Sequence, residues 1–207
     1  MPARLDHLTV VAPSLDAGAA FVNRVLGVEV EPGRTHPGMG THNRLLFLGA
    51  DTYLEVIAVD PLAPPPARPR WFGLDAIDAN AAPRLAGWVA DTCEIDALVV
   101  PELGRVETMH RESVSWQMTL TADGSLPLLG AAPALIQRPN GVHPARRLQD
   151  TGCRLRRLVI RHPSPVAVRA LLSRIALHSP VRIDIERGDR CSLVAEIDTP
   201  AGRRTLA

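Results

Sequence analysis

The apolar and polar positions at the start of the chain change period more than once. In "LDHLTVVA" (5–12) Thr and Val cluster as they do in strands, and Pro13 ends the run. Ser14 is a good N-cap and Asp16 falls in the first turn. Leu15, Ala19, Phe21, Val22, Val25 and Leu26 then draw a helical stripe that Gly27 closes. Three strand-like runs follow at 28–34, 42–49 and 52–59, with Gly38 and Gly40 marking one turn and "GAD" (49–51) the next. The predicted order is β-α-β-β-β.

That order is written three times. The segment from Arg84, "RLAGWVADTCEIDALVV", lies under the segment from Arg4 without gaps: Trp88 under Leu8, Ile95 under Leu15, Asp96 under Asp16. Strands at about 104–110, 114–122 and 133–138 follow its helix. A third copy starts at Leu155, with Pro163 under Pro13 and Ser164 under Ser14, and strands at about 181–187, 191–198 and 203–206. The expected organisation is a region 1–150 holding units at about 4–60 and 84–140, then a third βαβββ-like unit over 151–207. The connector 61–83 is proline-rich and stiff. Its "RWFGLD" (70–75) carries Trp71 and Phe72, so it is expected to pack down, as a staple or as one wall of a pocket.

Strand alternation sorts the polar groups. Leu5, His7, Thr9 and Val11 share one face of the first strand and Leu8 and Val10 the other. In the fourth, Tyr53, Glu55 and Ile57 share a face opposite Leu54, Val56 and Ala58. His42 and Asn43 point to opposite faces, and which of them enters a common hollow stays open. In 115–120, Trp116, Met118 and Leu120 form an apolar face and Ser115, Gln117 and Thr119 a polar one. A polar face can be solvated or can curve round a ligand. The mixed donors and acceptors His7, Asn43, Glu55 and Gln117 suit the second reading. A His–carboxylate pair such as His7 and Glu55 can act as acid and base. The "PGMGT" turn between His36 and His42 has backbone N–H groups suited to an anion. In "NGVHPARR" (140–147), His143 is expected at the rim near Gln137.

Composition removes whole classes. The chain has no lysine, which excludes Schiff-base, PLP and P-loop chemistry; G-x-G-x-x-G and G-x-S-x-G are also missing. A net charge of +1 gives no field for nucleic acid or anionic membrane. The basic cluster Arg146, Arg147, Arg154, Arg156 and Arg157 lacks aromatic partners, and suits an anionic substrate group or an interface carboxylate. Cys93, Cys153 and Cys191 are isolated, with no C-x-x-C. No apolar run is long enough to span a bilayer and the N-terminus has no signal-type apolar region, so the expected compartment is the cytoplasm.

The repeated β-α-β-β-β order, with His7 in the first strand and Glu55 in the fourth, resembles the vicinal oxygen chelate superfamily of glyoxalases, extradiol dioxygenases and drug-binding proteins. "LDHLTVVAPSLDAG", "HPGMGTHNRLLFLG", "TYLEVIAVDP" and "RPRWFGLD" resemble its glyoxalase-like domain family. The resemblance implies an α+β fold: paired βαβββ units forming a cup-shaped mixed sheet with helices on its outer face. It also implies a divalent metal with one ligand on the first and fourth strand of each unit. His7 and Glu55 fill those slots in unit one, Gly87 and Gln137 stand at or near them in unit two, and Arg157 stands at the first in unit three. The implied function is a small-molecule enzyme of lyase, isomerase or dioxygenase type acting on an oxygen-rich or carbonyl substrate; the alternative is a binding protein that sequesters a small molecule. The candidate site is His7 and Glu55 as acid/base or metal ligands, with His42, Asn43, Tyr53, Trp71, Gln117, Gln137 and His143 contacting substrate. Open sheet edges suggest a homodimer.

Overall fold

A computed structural model describes residues 2–111, 114–138 and 143–207. The first unit contains β1 (Arg4–Val11), α1 (Leu15–Leu26), β2 (Glu31–His36), β3 (Thr41–Gly49) and β4 (Thr52–Val59). The second contains β5 (Arg84–Asp91), a single helical turn α2 (Ile95–Leu98), β6 (Arg105–Arg111), β7 (Val114–Leu120) and β8 (Ala134–Gln137). The third contains β9 (Arg154–His162), α3 (Pro165–Arg174), β10 (Arg182–Arg187), β11 (Ser192–Thr199) and β12 (Gly202–Leu206). α1 forms where its signals lie: Ser14 Oγ accepts from the Ala17 N–H, and Gly27 ends the helix in the left-handed region at φ 73°.

The first two units join edge to edge into one mixed sheet of eight strands, β2-β3-β4-β1-β5-β8-β7-β6, curled into a half-barrel. In each, the first strand runs parallel to the last, β1 beside β4 and β5 beside β8, and the units meet where β1 pairs antiparallel with β5. Leu8, Val10, Leu46, Leu54, Val56 and Trp88 face the outer core, while Ile57, Val89, Met118 and Ile136 face the hollow. The connector closes one side of that hollow by burying Trp71 and Phe72 against Met118 and Ile136. Removing two such rings from water stabilises the arrangement by roughly 1.5–3 kcal/mol each.

The second helix departs from the repeat. After one turn come Val99 and Val100, whose branched side chains are stiff, and then Pro101, which holds Val100 extended. A full helix does not form there, and the third unit packs on the outer face of the half-barrel. Leu158, Ile160, Leu171, Leu193, Ala195 and Ile197 join the same core as Leu8 and Trp88. This unit has the element order of the others but different wiring. Its sheet runs β10-β9-β11-β12, with β9 parallel to β10 and antiparallel to β11. No described helix is long and apolar enough to cross a membrane.

Candidate functional site

The hollow is a cavity of about 390 Å³ lined by β1, β2, β3, β4, β6, β7, β8, the connector and the segment after β8. His7 lies at its floor in the centre of the sheet. Its ring stacks on Tyr53, centroids 4.5 Å apart, because the two residues are register partners on parallel strands. Nε2 of His7 is 3.4 Å from Oε2 of Glu55. The other Glu55 oxygen accepts from Asn43 Nδ2 at 2.6 Å, and Asn43 Oδ1 accepts from the Arg34 N–H at 2.7 Å. His7 is 4% and Glu55 6% exposed, so bulk water does not screen the pair.

On the far side of the ring, His7 Nδ1 meets Asp6 Oδ1 at 2.5 Å. Asp6 is fully buried and also accepts a fork from Arg138, at 2.5 and 3.0 Å, and a bond from His143 Nε2 at 2.8 Å. Strict alternation puts Asp6 on the face opposite His7 and Leu5 beside it. A register irregularity between Leu5 and His7, against β5, breaks that pattern. Leu5 goes to the outer core and Asp6 turns to the imidazole.

These contacts set the protonation states. Burial pushes His7 down, but hydrogen bonds to Asp6 and Glu55, with their charges, hold it above the ordinary imidazole value. Burial pushes Glu55 up, and the His7 bond and charge outweigh it, keeping the carboxylate ionised. Asp6 is held well below the usual carboxylate range: burial opposes this, but Arg138, His143 and His7 prevail. Both carboxylates thus favour the protonated form of the His7 ring, with an N–H toward each.

His36 behaves oppositely. It is buried edge-on against Trp71, its Nδ1 is 3.2 Å from Thr41 Oγ1, and burial pushes it down to about 4. Because its folded value lies below the ordinary 6.5, protonation favours the unfolded chain, and stability falls as pH drops from about 6.5 to about 4. His7 has the raised value, so its contribution is full below the ordinary value and is lost as pH rises through its folded one. The stability read from urea unfolding should therefore fall on the acid side by roughly 3 kcal/mol from His36, and His36→Phe should flatten that limb while leaving the alkaline one.

The structure places Asn43, Tyr53 and Trp71 in the cavity wall with His7 and Glu55. His143 stands behind the wall on Asp6, edge-on to Tyr53; residues 140–142 of its segment lie outside the described residues. Three further candidates are not in the lining. His42 lies in β3 beside Asn43 and faces Asp60 at 4.0 Å, so Asn43, not His42, enters the hollow. Gln117 and Gln137 are register partners on β7 and β8, out of phase with Met118 and Ile136, which face the hollow. Gln137 Oε1 accepts from the Ile95 N–H at 2.8 Å, at the start of α2. The apolar face of β7 is thus the cavity face, because the ring pair of the connector packs on it. Arg154, Arg156 and Arg157 pair with Asp150, Asp198 and Asp184, and Arg146 with Asp51. Arg147 alone of that cluster lines the cavity.

The donors do not fit a divalent ion. His7 Nε2 and Glu55 Oε2, 3.4 Å apart, are two donors, too few by themselves for a tight divalent site. At Gly87, the matching slot of unit two, an added Cβ would stand 2.6 Å from Leu126 Cδ2, so an apolar side chain fills the space a ligand would need. Among the described residues no group of three or more His, Cys, Asp or Glu could hold a metal.

Gly33 is required by close approach. A Cβ there would lie 2.0 Å from Asn43 Oδ1 and 2.7 Å from Asn43 O. Gly33→Ala should push Asn43 off Glu55 and cost about 1–3 kcal/mol, read as a lowered thermal midpoint.

Several solved structures are similar to this chain. A hypothetical protein from Staphylococcus aureus is 14% identical, with a TM-score of 0.63 over 93% of this chain and 88% of its own. A methylmalonyl-CoA epimerase variant from Streptomyces coelicolor is 18% identical, with a TM-score of 0.44 over 70% of this chain and 100% of its own. The methylmalonyl-CoA epimerase of Mycobacterium tuberculosis is 14% identical, with a TM-score of 0.41 over 65% of this chain and 87% of its own. The first shows the fold. No curated protein matches the sequence. The glyoxalase-like domain profile matches residues 5–176, from the site strand β1 through α3, and the chain therefore belongs to the glyoxalase-like domain family of the vicinal oxygen chelate fold.

Proposed function

We propose that the cavity is the active site of a small-molecule enzyme that moves a proton beside a carbonyl, with Glu55 as base and His7 as electrophile. The observation that carries this reading is the buried His7–Glu55 pair, 3.4 Å apart at the floor of a 390 Å³ cavity. Glu55 is ionised and can accept a proton from carbon. His7 Nε2–H, kept protonated by two carboxylates, can donate to the oxygen on which charge develops. Asn43 holds the second Glu55 oxygen and so aims the first. Tyr53 packs flat on the imidazole and fixes its plane.

The test is solvent-deuterium exchange, followed by proton NMR, over a panel of aldehydes, ketones, 2-oxo acids and acyl thioesters. Exchange of a C–H beside the carbonyl in at least one compound, lost in Glu55→Gln, is the expected result. No exchange across the panel, or exchange that survives in Glu55→Gln, contradicts it. One feature favours the alternative of sequestration: Leu126 fills the space beside Gly87 where the fold's second ligand would stand. Tight binding with no exchange is the outcome for that reading. The open edges β2 and β6 of the half-barrel support association into a homodimer.

A further inference from the structure

Resting on the cavity being the substrate site, we propose that the substrate carries a negative group, carboxylate or phosphate, which Arg34 and Arg147 hold at the mouth while its apolar part lies along Trp116 and Met118. The charges of the lining divide into two sets. Deep in the site each charge has its opposite: Arg138 is bound by Asp6, and Glu55 faces the His7 imidazolium. At the mouth the balance is positive. Arg34, on β2, and Arg147, on the segment after β8, both line the cavity. Both side chains are exposed, and among the described residues neither is held in an ion pair. Arg111 also lines the cavity, its guanidinium 5.5 Å from the centre of the Trp116 ring. Among the described lining residues the one carboxylate on that side is Glu31, which accepts from the Gln149 N–H at 2.6 Å. That bond ties the segment carrying Arg147 to the strand carrying Arg34, so the two cations are borne on joined elements.

The wall facing Glu55 is of another kind. Trp71, Phe72, Trp116, Met118 and Ile136 offer rings, thioether and aliphatic surface with few polar atoms. A ligand matching all three zones has an anionic end for the mouth, an apolar body for the wall, and a carbonyl for the His7–Glu55 floor. Guanidinium forks match carboxylate and phosphate oxygens in two-point contacts.

The experiment compares 2-naphthylacetate with its neutral isostere 2-naphthylacetamide by titration calorimetry on the full chain. At low ionic strength the acetate should bind at least about tenfold more tightly, and the preference should shrink at about 0.5 M salt. It should vanish in Arg34→Ala/Arg147→Ala, whose exposed positions leave folding intact, checked by an unchanged thermal midpoint. Equal affinity for the two compounds, binding of neither, or a preference that survives the double substitution overturns the proposal. The readout needs no turnover, so it separates from the enzymatic reading. Anion preference with no exchange in any carbonyl compound removes the proton-transfer reading alone; exchange confined to neutral compounds removes this one alone.

Discussion

Asp6→Ala is expected to destabilise the protein by about 3–5 kcal/mol, the cost of leaving a buried cation without its counter-charge. Asp6 is fully buried and receives Arg138 through both guanidinium nitrogens, His143, and the His7 ring. Imidazoles can shed a proton when their carboxylate is removed; the guanidinium cannot. Among the described residues, Arg138 would keep only Asp91, at 3.4 Å, as an acidic partner. The effect should be non-additive: Asp6→Leu/Arg138→Met removes both charges and should recover much of the loss. Denaturant midpoints on the four proteins of that cycle provide the check. A single-substitution loss under about 1 kcal/mol, the range of exposed ion pairs, would show that Asp6 is not paired as described. The linkage has a fixed sign. Asp6 has a depressed folded value, so its contribution is present above the ordinary carboxylate range and is lost as pH falls through the folded one.

The second large effect is on chemistry. Glu55→Gln keeps shape and the Asn43 neighbour but removes the base, and exchange should drop by about 10²–10⁴-fold. The fold should survive, since the neutral amide also frees His7 to lose its proton. The wild-type profile should be a bell. Its acid limb follows Glu55, held below the ordinary carboxylate value by His7 despite burial. Its alkaline limb follows His7, held above the ordinary imidazole value against the pull of burial. In Glu55→Gln one of the two carboxylates supporting the imidazolium is gone, so any residual activity should lose its alkaline limb at lower pH than wild type.

The β-α-β-β-β order was legible because the chain changes from period two to period 3.6 and back at clear caps, Ser14 and Gly27. Alternation from Leu54 and Val56 placed Tyr53 and Glu55 correctly, since β4 pairs with β1 without a break. The same rule misplaced Leu5 and hid Asp6, because an irregularity against β5 turns the strand between them. Alternation started from Ile136 would have found Arg138, two residues on and part of the lining. Gln117 drew attention as the polar face of β7, yet the hollow takes the apolar face there. Its opposite wall is apolar too, from a connector whose position no strand pattern reveals. His36 and His42 were indistinguishable by composition; the turn at 37–39 and the Trp71 ring bury the first. The third unit shows the deeper limit. Sequence order names the elements, while pairing partners depend on which face of the half-barrel they cover.

The proposed chemistry turns on a protonated His7 ring held between Asp6 and Glu55 within the cavity. Its most direct test is side-chain nitrogen NMR of uniformly ¹⁵N-labelled protein, with His7 assigned from His7→Gln. Both ring nitrogens should be protonated at neutral pH, with titration above the ordinary imidazole value and a downward shift of that titration in Glu55→Gln. A His7 ring that is neutral at neutral pH, or whose titration does not respond to Glu55, would contradict it.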